Sequence, residues 1–142
     1  MNDYRIRYFD DIRVGMTGEF SKTVTETDIQ LFADVTGDTN PLHLDAEYAA
    51  GSIFGGRIAH GMLAAGMISA VFGRVFPGPG WIYVKQSLGF KAPVRIGDSV
   101  TARVEVLERN EKREMATFKT ECRVADKVVL EGEATLLAPK KT

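Results

Sequence analysis

From Trp81 onward, apolar and polar positions alternate along the chain with a period of two. Ile82, Val84, Leu88 and Phe90 alternate with Trp81, Tyr83, Lys85 and Ser87, and Val100, Ala102, Val104 and Val106 with Thr101, Arg103 and Glu105. Ala116, Phe118, Cys122 and Val124 alternate with Thr117, Lys119, Glu121 and Arg123, and Val128, Leu130, Ala134 and Leu136 with Val129, Glu131, Glu133 and Thr135. Each run predicts a strand with one buried and one wet face, the signature of an antiparallel sheet. RNEKRE at 109–114 and ADK at 125–127 are short enough for hairpin turns. Near the start, TGEFSKTVT at 17–25 adds a fifth strand, with Phe20 and Val24 on one face. Val129, Leu137, Trp81 and Tyr83 fall on nominally wet faces, and pairing of a sheet edge with a second copy of the chain would account for them.

Between these strands the period changes to that of helices. Thr25 and Thr27 are N-cap candidates, Asp28 suits a first helical turn, and Ile29, Phe32, Ala33 and Thr36 follow at helical spacing. Gly37 is placed to end that helix in a left-handed conformation. The loop TGDTNPLHLD spans 36–45, and Asp45 caps a short helix through Tyr48 to Ala50, ended by Gly51. GSIFGGRIAH at 51–60 reads as a glycine-rich loop. Gly61 to Phe76 then reads as a single helix, apolar almost all round apart from Ser69 and Arg74, which predicts burial on every side. PGPG at 77–80 stops it. One such helix among about five amphipathic strands predicts an α+β domain: a curved antiparallel β-sheet wrapped around a long central apolar helix.

Composition narrows the classes of function. A single domain of 142 residues buries roughly two-thirds of its unfolded surface and needs no disulfide or metal to hold it together. Eighteen basic and nineteen acidic residues give a net charge of −1, and the basic ones are scattered, so no nucleic-acid partner is expected. The single cysteine, Cys122, lies in an alternating apolar run; it reads as a small core residue and points to the cytoplasm. The N-terminal MNDYRIRYFDDIRVG is too polar for a signal peptide, and Gly61–Phe76 is too short and too interrupted for a membrane span.

The candidate chemistry sits in TGDTNPLHLD. Asp38 and His43 pair a carboxylate with an imidazole, a common combination for moving protons near neutral pH. Pro41 and the restriction it places on Asn40 stiffen the loop, and Leu42 and Leu44 can anchor it so that His43 faces a cleft. The same residues are also good turn chemistry, and on spacing alone both readings stand. His60-Gly61 directly precedes the apolar helix, whose first N–H groups lack partners and carry partial positive charge. That fits either an oxyanion site at Gly61 or a plain helix cap by His60. Ser69 is a lone hydroxyl that suits a bond to its own i−4 carbonyl or a supporting contact in a pocket. Two histidines, one cysteine and scattered carboxylates show no metal-ligand spacing, and GSIFGGRIAHG lacks a phosphate-loop pattern.

FADVTGDTNPLHLDAEYA, then RIAHGMLAAGMIS, then QSLGFKAPVRIGD together resemble the MaoC-like (R)-specific enoyl-CoA hydratases of the hot dog fold, in order and over nearly the whole chain from about residue 10. The resemblance implies a sheet wrapped around the apolar helix, an overhanging helix at 28–36 above the active site, and a homodimer paired through sheet edges. It implies Asp38 and His43 as catalytic pair, Asn40 as a supporting residue, Gly61 as backbone donor to the thioester oxygen and, more loosely, Ser69 in the pocket. The implied reaction is hydration of trans-2-enoyl-CoA to (R)-3-hydroxyacyl-CoA, reversible, with no cofactor, since CoA is part of the substrate. Alternatives are a (3R)-hydroxyacyl-carrier-protein dehydratase, a hot dog acyl-CoA thioesterase and a non-catalytic acyl-binding subunit. Arg57, Lys85, Lys91 and Arg95 are the basic residues available for CoA phosphates or an acidic carrier.

Overall fold

A computed structural model describes residues 3–142. Six strands form one antiparallel sheet: β1 (Thr17–Thr23), β2 (Ile82–Gln86), β3 (Gly89–Phe90), β4 (Ser99–Asn110), β5 (Met115–Val124) and β6 (Lys127–Leu137). Their order is β1-β4-β5-β6-β2, with β3 also pairing to β6. The long hairpins β4–β5 and β5–β6 form its centre, registered Ala102 to Cys122 and Phe118 to Ala134.

The sheet curls around α4 (Gly61–Ala70), as the alternation requires. Ala64, Ala65, Met67 and Ile68 of α4 meet Val100, Ala102, Val104 and Val106 of β4, Phe118 and Cys122 of β5, and Leu130 and Leu136 of β6 in one core. Each large side chain fully buried here contributes about 1.5–3 kcal/mol. The Cys122 thiol donates to the Ala64 carbonyl at 3.3 Å, and burial pushes it up to about 12, consistent with a core residue.

The central helix differs from the expected Gly61–Phe76 in two ways. Regular α geometry stops at Ala70, and Val71–Val75 form a wider π-type turn in which the Phe76 N–H reaches back to the Val71 carbonyl at 2.8 Å. Burial is also not complete: Met62, Gly66, Ser69 and Gly73 form an exposed stripe in the single chain.

The phase of β2 is the reverse of the expected one. Trp81 and Tyr83 turn towards the core, where Tyr83 meets Phe72 edge-on at 5.3 Å and Trp81 meets Phe118 at 6.5 Å. Ile82 and Val84 are left 58% and 52% exposed on the edge strand. Val129 is likewise buried, beside Leu130, because the β5–β6 register shifts between Cys122 and Arg123. Inward orientation accounts for Val129 and Trp81 within one chain, and in part for Tyr83, which stays 37% exposed.

Three helical segments carry the chain to the mouth of this sheet. Helix α1 (Glu26–Thr36) opens on a reciprocal capping box: the Thr25 hydroxyl accepts from the Asp28 N–H and the Asp28 carboxylate from the Thr25 N–H. It closes on Gly37 at φ 80°, a left-handed turn that glycine adopts without strain. Helices α2 (Pro41–Leu44) and α3 (Ala46–Ala50) follow, α3 capped by Asp45 as expected. The α2 turn replaces the plain loop read from the sequence.

The capping box yields a prediction with a definite sign. A hydrogen bond from Lys22, with the capping bonds from Thr25, holds the Asp28 carboxyl below its ordinary value. Its contribution is therefore complete above the unfolded carboxyl range near pH 4 and fades as pH falls through the lower folded value. Asp28→Ala should cost about 1 kcal/mol at pH 7, and the gap in denaturation midpoint between parent and variant should narrow towards pH 3. A gap that is constant with pH would contradict the assignment.

Candidate active site

The loop after α1 is shaped by its own side chains. Thr36 Oγ1 donates to the Phe32 carbonyl at 2.6 Å and accepts from the Asp38 N–H at 3.2 Å. The Asn40 N–H donates to Asp38 Oδ1 at 3.3 Å, and Asn40 Oδ1 accepts from the Leu42 N–H at 3.0 Å. Asn40 is thus the N-cap of α2, with Pro41 at its first position where no N–H is needed. That single turn presents His43, while Leu44 packs against the core.

The strip Arg57–His60 lies against this loop and fixes it through three hydrogen bonds, two at His43 and one at Asp38. The Ile58 carbonyl stands 2.8 Å from His43 Nδ1. A carbonyl only accepts, so Nδ1 carries hydrogen and Nε2 is the ring nitrogen left for a reacting group. Arg57 Nε donates to the His43 carbonyl at 2.6 Å. His60 Nε2 donates to the Asp38 carbonyl at 3.0 Å. The His60 ring stacks on His43 at 4.0 Å between centroids and meets Phe32 of α1 at 4.6 Å. His60 is only 2% exposed and, contrary to the capping reading, makes no side-chain bond to the start of α4.

Asp38, His43, His60 and Gly61 open on one cavity of about 480 Å³, walled otherwise mainly by apolar residues such as Phe54, Phe90 and Val129. A carboxylate oxygen of Asp38 and ring nitrogens of His43 and His60 lie within 4.8 Å of one another. One carboxylate and two imidazoles also form a ligand set for a cation. One nitrogen of each ring is committed to a backbone carbonyl, which leaves one nitrogen per ring for any further partner.

The structure therefore gathers Asp38, His43 and Gly61 of the expected residues. It leaves two outside the cavity wall. Asn40 is exposed and acts through the backbone of α2. Ser69 is exposed, eight residues beyond Gly61, which puts it about 12 Å further along α4 and about 80° round it; the pocket contact expected of it is not formed. Arg57, expected as a free cation for phosphates, is engaged inside the protein. Lys91 lines the cavity, Arg95 donates to the Phe54 carbonyl at 2.6 Å, and Lys85 is exposed. The positions of Arg57, Ile58 and His60 in the site were not visible in the sequence. The one available signal was a histidine and an arginine in a loop otherwise made of small and apolar residues.

Gly61 has a second reason to be glycine. A Cβ there would stand 2.6 Å from Cε1 and 2.9 Å from Cδ1 of Phe90, so the Phe90 ring rests on the start of α4. Phe90 is 54% exposed and its ring can swing aside, so Gly61→Ala should cost no more than about 1 kcal/mol, and Phe90→Ala in the same chain should recover most of it. Strict additivity of the two changes in a double-mutant cycle would show that the contact is not what constrains this position.

Residues 12–128 match the family model described as MaoC like domain. The chain is 54% identical over 140 residues to an (R)-specific enoyl-CoA hydratase of Rhodospirillum rubrum, covering 99% of this chain and 97% of the relative. It is 49% identical over 139 residues to a 3-hydroxybutyryl-CoA dehydratase of Methylorubrum extorquens, covering 98% of this chain and 88% of that one. Among solved structures, an R-hydratase of Pseudomonas aeruginosa in unliganded form superposes with a TM-score of 0.88 at 44% identity, over 94% of this chain and 86% of the other. With the hot dog architecture and the gathered Asp38, His43 and Gly61 already in place, these likenesses settle the kinship: the chain belongs to the MaoC-like domain family.

Proposed function

We propose that the protein adds water to trans-2-enoyl-CoA to give (R)-3-hydroxyacyl-CoA and catalyses the reverse dehydration. The observation that carries the reading is the Asp38–His43 pair, no more than 4.8 Å apart on the wall of the cavity that also holds Gly61. One water bonded to both groups at about 2.8 Å spans that separation.

In the forward reaction Asp38 takes a proton from this water as its oxygen bonds to C3. The C2–C3 π electrons move towards the thioester, forming an enolate. The Gly61 N–H and the N-terminal end of α4 stabilise its oxygen, an effect of about 3–4 kcal/mol for a well-placed donor. His43 then protonates C2. With Nδ1–H held by Ile58, the donating proton is on Nε2, so the reacting pair is a carboxylate with an imidazolium. Transfer of a proton from Asp38 to His43 restores it. Both groups act from one face, which makes addition syn.

No cofactor and no metal enter this scheme; CoA is part of the substrate. A thioesterase of this fold would place a carboxylate on the central helix, and α4, GMLAAGMISA, has none. An enzyme acting on an acyl carrier protein would share the chemistry, with Lys91 and Arg95 facing the carrier instead of CoA phosphates. A homodimer through β2 is part of the proposal, supported by Ile82 and Val84 exposed on that edge and by the exposed stripe of α4. We place this enzyme in the cytoplasm, a reading supported by the single buried cysteine. No helix of the described residues is long and apolar enough to cross a membrane.

The test follows the conjugated enoyl absorbance of a short trans-2-enoyl-CoA, with thiol release monitored in parallel. Hydration without thiol release is expected. Asp38→Asn and His43→Gln should each lose at least about 100-fold in kcat while retaining the parent's melting temperature. Near-parent turnover in either variant would reject the assigned roles, and thiol release with the enoyl absorbance intact would favour a thioesterase.

A further inference from the structure

Arg57 reaches two parts of the protein that meet above the cavity. Its Nη1 and Nη2 donate to Glu26 Oε2 and Oε1, both at 2.8 Å, the two-pronged geometry that a guanidinium provides and an ammonium does not. Its Nε donates to the His43 carbonyl at 2.6 Å. Glu26 is the first residue of α1, whose Phe32 contacts His60. The Arg57 side chain is 17% exposed and the Glu26 side chain 58%, so the bond to the His43 carbonyl is partly shielded while the two to Glu26 face water. The hydrogen bond from Arg57 also holds the Glu26 carboxyl below its ordinary value.

Within the chain, the one-turn helix α2 is a weak support for a reacting group. It has four residues, too few to be stable alone. The His43 N–H is bonded inside the same loop, to the Asn40 carbonyl at 3.0 Å. What ties the His43 backbone to the rest of the fold is its carbonyl, through Arg57, and what ties its ring is the Ile58 carbonyl next along the strip.

Building on the proposed hydration, we infer that Arg57 is a positioning residue: its guanidinium, oriented by Glu26, locks the His43 carbonyl to the N-terminus of α1, so that the imidazole and the overhanging helix move as one body. It does not touch substrate. Lysine at 57 keeps the charge but cannot hold both Glu26 oxygens and the His43 carbonyl in one plane. Glutamine at 26 keeps one acceptor and loses the charge that orients the fork.

The experiment compares parent, Arg57→Lys and Glu26→Gln in kcat and KM for enoyl-CoA, and in the solvent-exchange rate of the His43 Nδ1–H proton by NMR. Loss of placement by about an ångström predicts a kcat lower by about 10- to 100-fold in Arg57→Lys and by a smaller factor in Glu26→Gln. KM should stay within about threefold, because substrate contacts remain. The Nδ1–H proton should exchange at least about tenfold faster in Arg57→Lys, through looser docking on Ile58. A raised KM with unchanged kcat would overturn the inference in favour of a phosphate contact, and a lowered kcat with unchanged Nδ1–H exchange would overturn it as well. If Arg57→Lys fails to fold, Glu26→Gln, altered at an exposed carboxylate, decides on the same readouts. Faster exchange in the variants of a parent that hydrates no enoyl-CoA would sink the proposed reaction and leave the positioning role standing.

Discussion

The site depends on one constraint: an exposed polar loop has to present two side chains at a fixed separation, and it has little core of its own to do so. Residues 34–41 are all exposed, and the bonds inside the loop set only its local shape. The separation is set from outside, by donors and an acceptor on the strip Arg57–His60. Each bond is directional and made at a buried or half-buried position, where hydrogen bonds are strongest and a broken one costs most. The tautomer of His43 follows from the same contacts, so the chemistry of the ring and the place of the ring have a common origin.

The sheet and central helix serve that strip. Ala59 is buried in the core and its N–H bonds to the Val94 carbonyl at 2.7 Å, which anchors the strip next to the β3–β4 connection. Directly after it α4 begins, and Gly61 and Met62 at its start line the same cavity as the pair. A long apolar helix embedded in a curled sheet thus does two things at once. It builds the core through Ile68, Val71 and Phe72, and it sets its N-terminal residues Gly61 and Met62 in the cavity wall.

Much of this was legible in the chain because several signals agreed. Thr25 with Asp28, then Gly37, bounded α1 by chemistry as well as by period, and β4 read cleanly because only one of its faces is apolar. Reading failed where both faces are apolar. In Trp81-Ile82-Tyr83-Val84 alternation is present but carries no phase, and the aromatic cluster around Phe118 decides which face turns inward. Lys127-Val128-Val129-Leu130 is ambiguous in the same way, and a bulge at Val129 itself, between the pairs Cys122–Leu130 and Arg123–Val128, resolves it. Asp38 and His43 were half legible: proline, asparagine and glycine marked a stiff loop that suited a turn as well as chemistry, and the family resemblance singled out the pair. Arg57, Ile58 and His60 were not, because their partners lie 14 to 31 positions away, and no local pattern encodes a contact of that kind. Ser69 shares a helix with Gly61, which fixes its distance and direction, and within the single chain it lies outside the residues that line the cavity.

The central claim is that a carboxylate and an imidazole act on one water from one face of the double bond. The direct measurement is hydration of a trans-2-enoyl-CoA in deuterium oxide, with both new stereocentres of the product assigned by NMR. The account predicts a single diastereomer of (R) configuration at C3, with the C2 deuterium and the C3 hydroxyl delivered to the same face. Addition to opposite faces, or a mixture of configurations at C2, would contradict it.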